Sequence, residues 1–237
     1  MAAAQETFNE NGDLEKIHIP HGAEDFLERY QHLRQLICQP DFGKDTLQAV
    51  LEDTGFDTAR VLRDVLRLRI APHMGFTNRH AKSAYSIHRD TWYANPSCQI
   101  NFWVPLFDVR PTQGFNFYPA FFNKPVPNTS HLFDYSLWQD GGGFGKVKTK
   151  TLHTLYPTVT AEIPKDDACS FTCKAGDLVI FSAAQLHGNC QNLSHLTRYS
   201  IDFRVVHQDD IHKCLGAPNV DNHSKGSALC DYTSLIS

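Results

Sequence analysis

The sequence predicts an α+β fold that is mainly β, with N-terminal helices packed on the outer face of an antiparallel sheet. Two observations predict this class. Apolar residues recur at helical spacing in the first third of the chain, and from about residue 80 onward the spacing changes to two, as in residues 99–104. The number of short strands permits a jelly roll made of two sheets.

Three helices are expected before the first strand. Apolar stripes in residues 26–37 and 47–51 predict two of them, and Pro40 and Gly55 end these patterns. The third helix is expected after an Asp57 N-cap, because one stripe there contains Val61, Leu62, Val65 and Leu66.

Six strands are predicted in the rest of the chain, at residues 99–104, 115–118, 158–163, 168–172, 178–181 and 197–206. Residues 119–157 are rich in Pro, Asn, Asp and Gly, which is typical either of a functional lid or of a plain surface loop. The polar tail after Val206 is expected to lie on the surface.

The length of 237 residues favours one domain. We expect a helical support over about 1–79, a β core over about 80–206 with a lid-like insertion near 119–157, and a tail over 207–237. The net charge of −4 provides no basic surface for nucleic acid. The sequence contains neither a long apolar span nor a secretory leader, so we expect no membrane partner and a cytoplasmic location. The seven cysteines lack C-x-x-C spacing and are expected to be reduced.

Two His-x-Asp pairs occur in the sequence, His88/Asp90 and His207/Asp209, where composition alone predicts roughly one. On an extended backbone both members of a pair point to the same face and can bind one cation. The first pair is followed by predicted strands that lead to His187, whereas the second pair is followed by a polar tail. The apolar strand at 178–181 leads to His187.

Two histidines and one carboxylate on a β scaffold form the facial triad that leaves open coordination positions on non-heme Fe(II). Eleven residues after His187 come Arg198 and Ser200, which are two apart and therefore share a face. A guanidinium and a hydroxyl together can bind a carboxylate.

In this order and at these spacings, the motifs resemble those of the Fe(II)/2-oxoglutarate-dependent oxygenases. They are His88-x-Asp90, the segment GDLVIF at 176–181, His187 and Arg198-x-Ser200. The segments DTWY at 90–93 and QINFWVPL at 99–106 are similar to the phytanoyl-CoA dioxygenase-like branch, which includes bacterial enzymes of the streptomycin-biosynthesis type. The resemblance covers residues from about 80 to 206.

The resemblance implies a double-stranded β-helix, the cupin-like jelly roll, with the metal near one mouth of the barrel. It implies that His88, Asp90 and His187 bind iron, that Arg198 binds the distal carboxylate of 2-oxoglutarate, and that Ser200 supports it. With O2 as oxidant, the implied reaction is hydroxylation of a small-molecule C–H bond, as in natural-product or secondary metabolism. Desaturation, cyclisation and epimerisation remain open, whereas halogenation is disfavoured because halogenating members lack the carboxylate ligand that Asp90 provides.

Further candidates surround these residues. Gln99 and Asn101 share a strand face and are candidates to contact the cosubstrate or the substrate. Trp92, Tyr93 and Trp103 are candidates for the substrate cavity, although strand aromatics more often belong to a core.

Two other functions fit the same sequence. One is a cupin-type metalloenzyme, a dioxygenase or an isomerase, that works without 2-oxoglutarate. The other is a jelly-roll binding module without catalytic activity. Arg198 has an alternative role as well, in which it points outward and pairs with Asp202 or Glu162. The apolar alternate face of the same strand opposes this alternative, and it consists of Tyr199, Ile201, Phe203 and Val205.

Overall fold

The strands of the described chain pair antiparallel in two sheets, and few helices accompany them. The computed structural model describes residues 2–8, 13–17, 23–39, 41–78, 84–141 and 156–235. The α-helices within these residues are Ala2–Phe8 (α1), Ala23–Ile37 (α2), Lys44–Asp53 (α3), Tyr135–Asp140 (α4) and Gln208–His212 (α5). The strands are Val61–Arg63 (β1), Arg67–Ala71 (β2), Ile100–Pro105 (β3), Phe115–Phe117 (β4), Val179–Ser182 (β5), His187–Asn189 (β6), Arg198–His207 (β7) and Thr233–Ser234 (β8).

Strand β7 holds the larger sheet together. Within the described residues, this sheet has six strands in the order β5-β3-β7-β1-β8, with β2 also paired to β7, and β4 and β6 form a second sheet. Strand β7 pairs with β3 along one edge and with β2 and β1 along the other, always antiparallel. The predicted strands at 99–104, 115–118, 178–181 and 197–206 are therefore present, within one or two residues of the expected bounds.

Helices α2 and α3 cover one face of the larger sheet. Leu33 of α2 packs with Tyr199, and Leu51 of α3 packs with Phe102 and Phe203. All five side chains are at most 2% exposed. Because Phe102 pairs with Phe203 in the sheet register, alternate residues of β3 and β7 face the helices, and the residues between them face the opposite side.

The predicted third helix is wrong. Val61–Arg63 and Arg67–Ala71 are strands that pair with β7, so two strands precede residue 80. The apolar residues of this segment fit a helical period, but their backbone hydrogen bonds go to a partner far along the sequence. Local periodicity does not detect such a partner.

The predicted strands at 158–163 and 168–172 are also wrong. Each segment forms one isolated bridge, Val159 with Asn128 and Cys169 with Phe117. The segment facing Val159 contains Pro127, whose nitrogen carries no hydrogen to extend a ladder.

The C-terminal segment is more deeply buried than a surface tail. Strand β8 pairs with β1, and Leu235 is fully buried in the core beneath α3. Asp221 is 4% exposed, so even a charged residue of this segment lies inside the protein. The expectation that the whole tail lies on the surface is therefore wrong.

Part of the predicted lid, residues 142–155, lies outside the described residues, and the lid remains a prediction. Its described part includes α4. Among the described residues, no helix has the length and apolar composition that crossing a bilayer requires.

Replacing Phe102 by alanine should lower the free energy of unfolding by about 3–5 kcal/mol. The ring is fully buried, stacks on Phe203 with a centroid distance of 4.8 Å, and meets Phe56 edge-on at 5.6 Å. Urea unfolding followed by circular dichroism measures the loss. The matched control is Phe42→Ala, because Phe42 is 45% exposed and should contribute less than about 0.5 kcal/mol. Equal losses in the two variants would contradict this description of the core.

Candidate metal centre

A backbone bridge places two of the predicted ligands side by side. The N–H of His88 donates to the carbonyl of His187 at 2.9 Å, and the N–H of His187 donates back to His88 at 3.0 Å. The centroids of the two imidazole rings are 4.5 Å apart. Two histidines that are distant in the sequence are thereby neighbours in the fold.

The third predicted ligand, Asp90, begins a short 3-10 helix, Asp90–Tyr93. Its N–H donates to the carbonyl of Ala183 at 2.9 Å, which ties it to the segment just before His187. The ligand atoms of His88, Asp90 and His187 all lie within 4.8 Å of one another, and Nε2 of His88 is 3.5 Å from Oδ1 of Asp90. Two atoms at that separation can both bind one ion at about 2.1 Å.

The two imidazoles present the same nitrogen to the site. Nδ1 of His88 is 2.8 Å from the carbonyl of Ser86, and Nδ1 of His187 is 2.9 Å from the carbonyl of Gln185. A carbonyl only accepts, so in the neutral form of each ring Nδ1 carries the hydrogen and Nε2 keeps its lone pair. Burial, followed by the proximity of His88, lowers the pKa of His187 to about 4, so the His187 ring is neutral at neutral pH.

Asp90 is buried but charged. Its Oδ2 accepts hydrogen bonds from Gln99 Nε2 at 3.2 Å and Asn101 Nδ2 at 2.8 Å, and it lies 3.7 Å from Nε of Arg204. Burial alone would raise the pKa of Asp90, but the Arg204 guanidinium and His88 outweigh it and hold the pKa well below its usual range. Oδ1 therefore faces the histidines on a carboxylate that is ionised at neutral pH.

The three groups open onto a cavity of about 700 Å³. Its wall includes alternate residues of β7, namely Arg198, Asp202 and Arg204. These residues lie on the face of β7 that points away from the helices. The three candidate ligands and the buried arginines therefore share one chamber.

The guanidinium of Arg198 is hydrogen-bonded through Nη1 but not through Nε. It is 5% exposed, and its Nη1 donates to the carbonyl of Gln113 at 2.9 Å and to Oδ1 of Asn189 at 3.2 Å. Burial lowers the pKa of Arg198 to about 10, so it is still charged at neutral pH. Its Nε finds no hydrogen-bond partner among the described residues. An unsatisfied buried donor costs roughly 1–3 kcal/mol, a cost that an anionic ligand would remove.

Ser200 lies two residues further along β7. It is fully buried, and its hydroxyl also lacks a hydrogen-bond partner in the described part of the chain. The alternative pairing of Arg198 with Asp202 does not occur, because Nε and Nη2 of Arg69 donate to the Asp202 carboxylate at 2.7 and 3.3 Å. Nor does Arg198 pair with Glu162 among the ion pairs of the described residues.

The three aromatic candidates separate into two groups. Tyr93 and Trp103 line the cavity, and the Trp103 ring lies 5.6 Å from the Arg198 guanidinium carbon. Trp92 is fully buried in a core cluster with Leu186, outside the described cavity lining. Substrate contact by Tyr93 or Trp103 remains a prediction.

The side-chain amides of Gln99 and Asn101 both donate hydrogen bonds to Asp90. Asn101 belongs to the described cavity lining and Gln99 does not. The predicted contact of either residue with the cosubstrate or the substrate remains untested.

Sequence reasoning missed two residues that support the site. Arg204 continues the alternation of Arg198, Ser200 and Asp202 along β7, so the period of two indicates it. The Tyr232 hydroxyl donates a hydrogen bond to Oε1 of Gln99 at 2.6 Å, and no local sequence pattern predicts that contact.

The sequence matches no protein-family model and no curated protein. Similar solved structures include ThoJ, a non-heme monooxygenase, with 16% identity and a TM-score of 0.45 over 87% of this chain and 70% of ThoJ. EvdO2 from Micromonospora carbonacea var. aurantiaca, complexed with 2-oxoglutarate, has 13% identity and a TM-score of 0.45 over 76% of this chain and 64% of EvdO2. SnoN, a non-heme alpha-ketoglutarate-dependent epimerase from nogalamycin biosynthesis, has 16% identity and a TM-score of 0.38 over 91% of this chain and 75% of SnoN. The chain thus spans less than two thirds of EvdO2.

Asp90→Asn should weaken the binding of Co(II) or Ni(II) at least about 100-fold, because it replaces the anionic ligand by a neutral amide. Isothermal titration of the chelator-treated protein measures the affinity. Asp209→Asn is the matched control from the second His-x-Asp pair, where Nδ1 of His207 accepts the N–H of Asp209 and caps α5. Equal affinities for both variants would remove Asp90 from the ligand set.

Proposed function

We propose that this protein is an Fe(II)- and 2-oxoglutarate-dependent dioxygenase that hydroxylates an unactivated C–H bond of a small molecule. One observation carries the proposal. The ligand atoms of His88, Asp90 and His187 lie within 4.8 Å of one another on the same cavity that Arg198 lines.

The donor set fits a ferrous ion. Two imidazole Nε2 atoms with free lone pairs and one carboxylate oxygen provide three ligands of the type that non-heme iron prefers, and they leave other positions open. Bound there, the iron with 2-oxoglutarate and O2 would supply the oxidation of the substrate C–H bond. The protein's part is to hold these groups and to keep water out.

Arg198 and Ser200 fit the cosubstrate. 2-Oxoglutarate carries two carboxylates, and the distal one requires a buried cation and hydrogen-bond donors. The unpaired Nε of Arg198, a residue of the cavity lining, would supply the cation, and the unpaired hydroxyl of Ser200, which lies behind the described lining, would supply a further donor. Nη1 of Arg198 is held by Gln113 and Asn189, so the guanidinium is oriented in advance.

Aromatic rings shield the proposed iron site. Phe181 and Phe115 pack against the His187 ring with centroid distances of 5.0 and 6.0 Å, and Tyr93 packs edge-on against His88 at 5.4 Å. Apolar neighbours restrict the access of water to the reacting groups. The cavity volume of about 700 Å³ is within the range of small-molecule sites.

The proposal includes a finer description of the fold. The six-stranded sheet would form the larger layer of a double-stranded β-helix, and β4 with β6 would belong to the smaller layer. The metal-ligating residues would then lie between the two layers, with His187 contributed by β6.

Anaerobically purified protein mixed with Fe(II) and 2-oxoglutarate should develop a metal-to-ligand charge-transfer band, and admission of O2 should yield succinate. Arg198→Met should weaken 2-oxoglutarate binding at least about 100-fold, because it removes the buried cation. Arg60→Met is the matched control, since the Arg60 side chain is 48% exposed and binds Asp209 instead.

Each negative outcome identifies a different alternative. Turnover that does not depend on 2-oxoglutarate and survives Arg198→Met would indicate a cupin-type metalloenzyme of another class. Protein that retains no metal and forms no charge-transfer band would indicate a binding module.

A further inference from the structure

The C-terminal segment 221–232 contacts the part of the chain that bears Asp90. The carboxylate of Asp221 accepts from Nε of Arg89 at 3.1 Å and from Nε1 of Trp92 at 2.8 Å. Arg89 and Trp92 flank Asp90 in the sequence, and both are at most 1% exposed. The segment is therefore part of the structure that surrounds the metal-ligating carboxylate.

Tyr232, at the end of this segment, reaches Asp90 through one amide. Its hydroxyl donates to Oε1 of Gln99 at 2.6 Å. Since Oε1 is engaged there, the other end of the amide, Nε2, faces Asp90 and donates to Oδ2 at 3.2 Å. The same Nε2 donates to Oδ1 of Asn101 at 2.7 Å, and Nδ2 of Asn101 then donates to Oδ2 of Asp90 at 2.8 Å.

This network makes the two oxygens of Asp90 different. Oδ2 accepts two amide hydrogens, whereas Oδ1 lies 3.5 Å from Nε2 of His88. Burial, followed by the charge of Asp64, raises the pKa of Tyr232 well above its ordinary value, so its hydroxyl keeps the proton that it donates. Tyr232 is 8% exposed, which limits the ability of water to replace it.

We infer that Tyr232 is a positioning residue of the metal centre, which fixes the Gln99 amide so that Asp90 binds the ion through Oδ1 alone. The inference rests on the proposed function, because it assumes an ion at His88, Asp90 and His187. Without the Tyr232 hydroxyl, Oε1 of Gln99 is a buried acceptor with no side-chain donor among the described residues, and the amide can reorient. Oδ2 then loses a hydrogen bond, and the carboxylate is free to rotate.

The test is the affinity of Tyr232→Phe for Co(II), measured by titration of the metal-free protein, with the visible Co(II) absorption recorded at saturation. We expect about tenfold weaker binding and an altered absorption band, as is usual when a residue that supports a ligand is lost. The matched control is Tyr199→Phe. Tyr199 is 1% exposed, and its hydroxyl has no hydrogen-bond partner among the described residues, so its loss should leave the affinity unchanged.

A second variant separates positioning from a general loss of stability. Gln99→Met removes the same donor from Asp90, and we expect it to weaken Co(II) binding at least as much as Tyr232→Phe. If Tyr232 acts through Gln99, the double variant should bind Co(II) no more weakly than Gln99→Met alone. Thermal unfolding of each metal-free variant checks that the variant is folded before its Co(II) affinity is compared. If Tyr232→Phe does not fold, unchanged Co(II) affinity in Gln99→Met overturns the inference, because Tyr232 would then act through an amide that does not support Asp90.

Unchanged Co(II) affinity in Tyr232→Phe, with tight binding by the unsubstituted protein, would overturn this inference and leave the proposed function standing. Additive losses in the double variant would also overturn it, because Tyr232 would then act independently of Gln99. Failure of the unsubstituted protein to bind Co(II) would overturn the metal centre and this inference together.

Discussion

The antiparallel bridge between His88 and His187 is the contact on which the site depends. Its two main-chain hydrogen bonds place one histidine beside the other, and a third main-chain bond, from Asp90 to Ala183, adds the carboxylate. The positions of the three groups are thus set by the backbone rather than by flexible side chains. A carbonyl at each Nδ1 then determines which nitrogen of each ring faces inward.

The two faces of strand β7 have different surroundings, the helix-covered core on one side and the cavity on the other. One face supplies residues such as Phe203 to the core beneath the helices, and the other supplies buried charges to the cavity. Most of these charges are paired within the protein, Asp202 with Arg69 and Arg204 with Asp90. Arg198 forms no ion pair among the described residues, and its Nε has no partner there. Among the described residues that line the chamber, Arg198 is thus a buried cation left for a ligand to neutralise, and the three candidate ligands line the same chamber.

The order of the motifs and the strong apolar strand that leads to His187 predict the three side chains that the fold brings together, and alternation along β7 locates Arg198. The sequence does not predict β1, because the apolar residues from Val61 onward fit a helical period while their backbone pairs with a distant strand. It also misses Asp221 and Tyr232, since a single buried polar residue in a polar segment has no period. Their importance comes from contacts more than a hundred residues away along the chain.

The most direct test of the central claim is an anomalous-scattering map, at the iron absorption edge, of crystals grown anaerobically with Fe(II). An iron site at these three side chains would give one strong peak about 2.1 Å from Nε2 of His88, Nε2 of His187 and Oδ1 of Asp90. A peak at His207 and Asp209 instead, or no peak at the three predicted ligands in iron-saturated crystals, would contradict it.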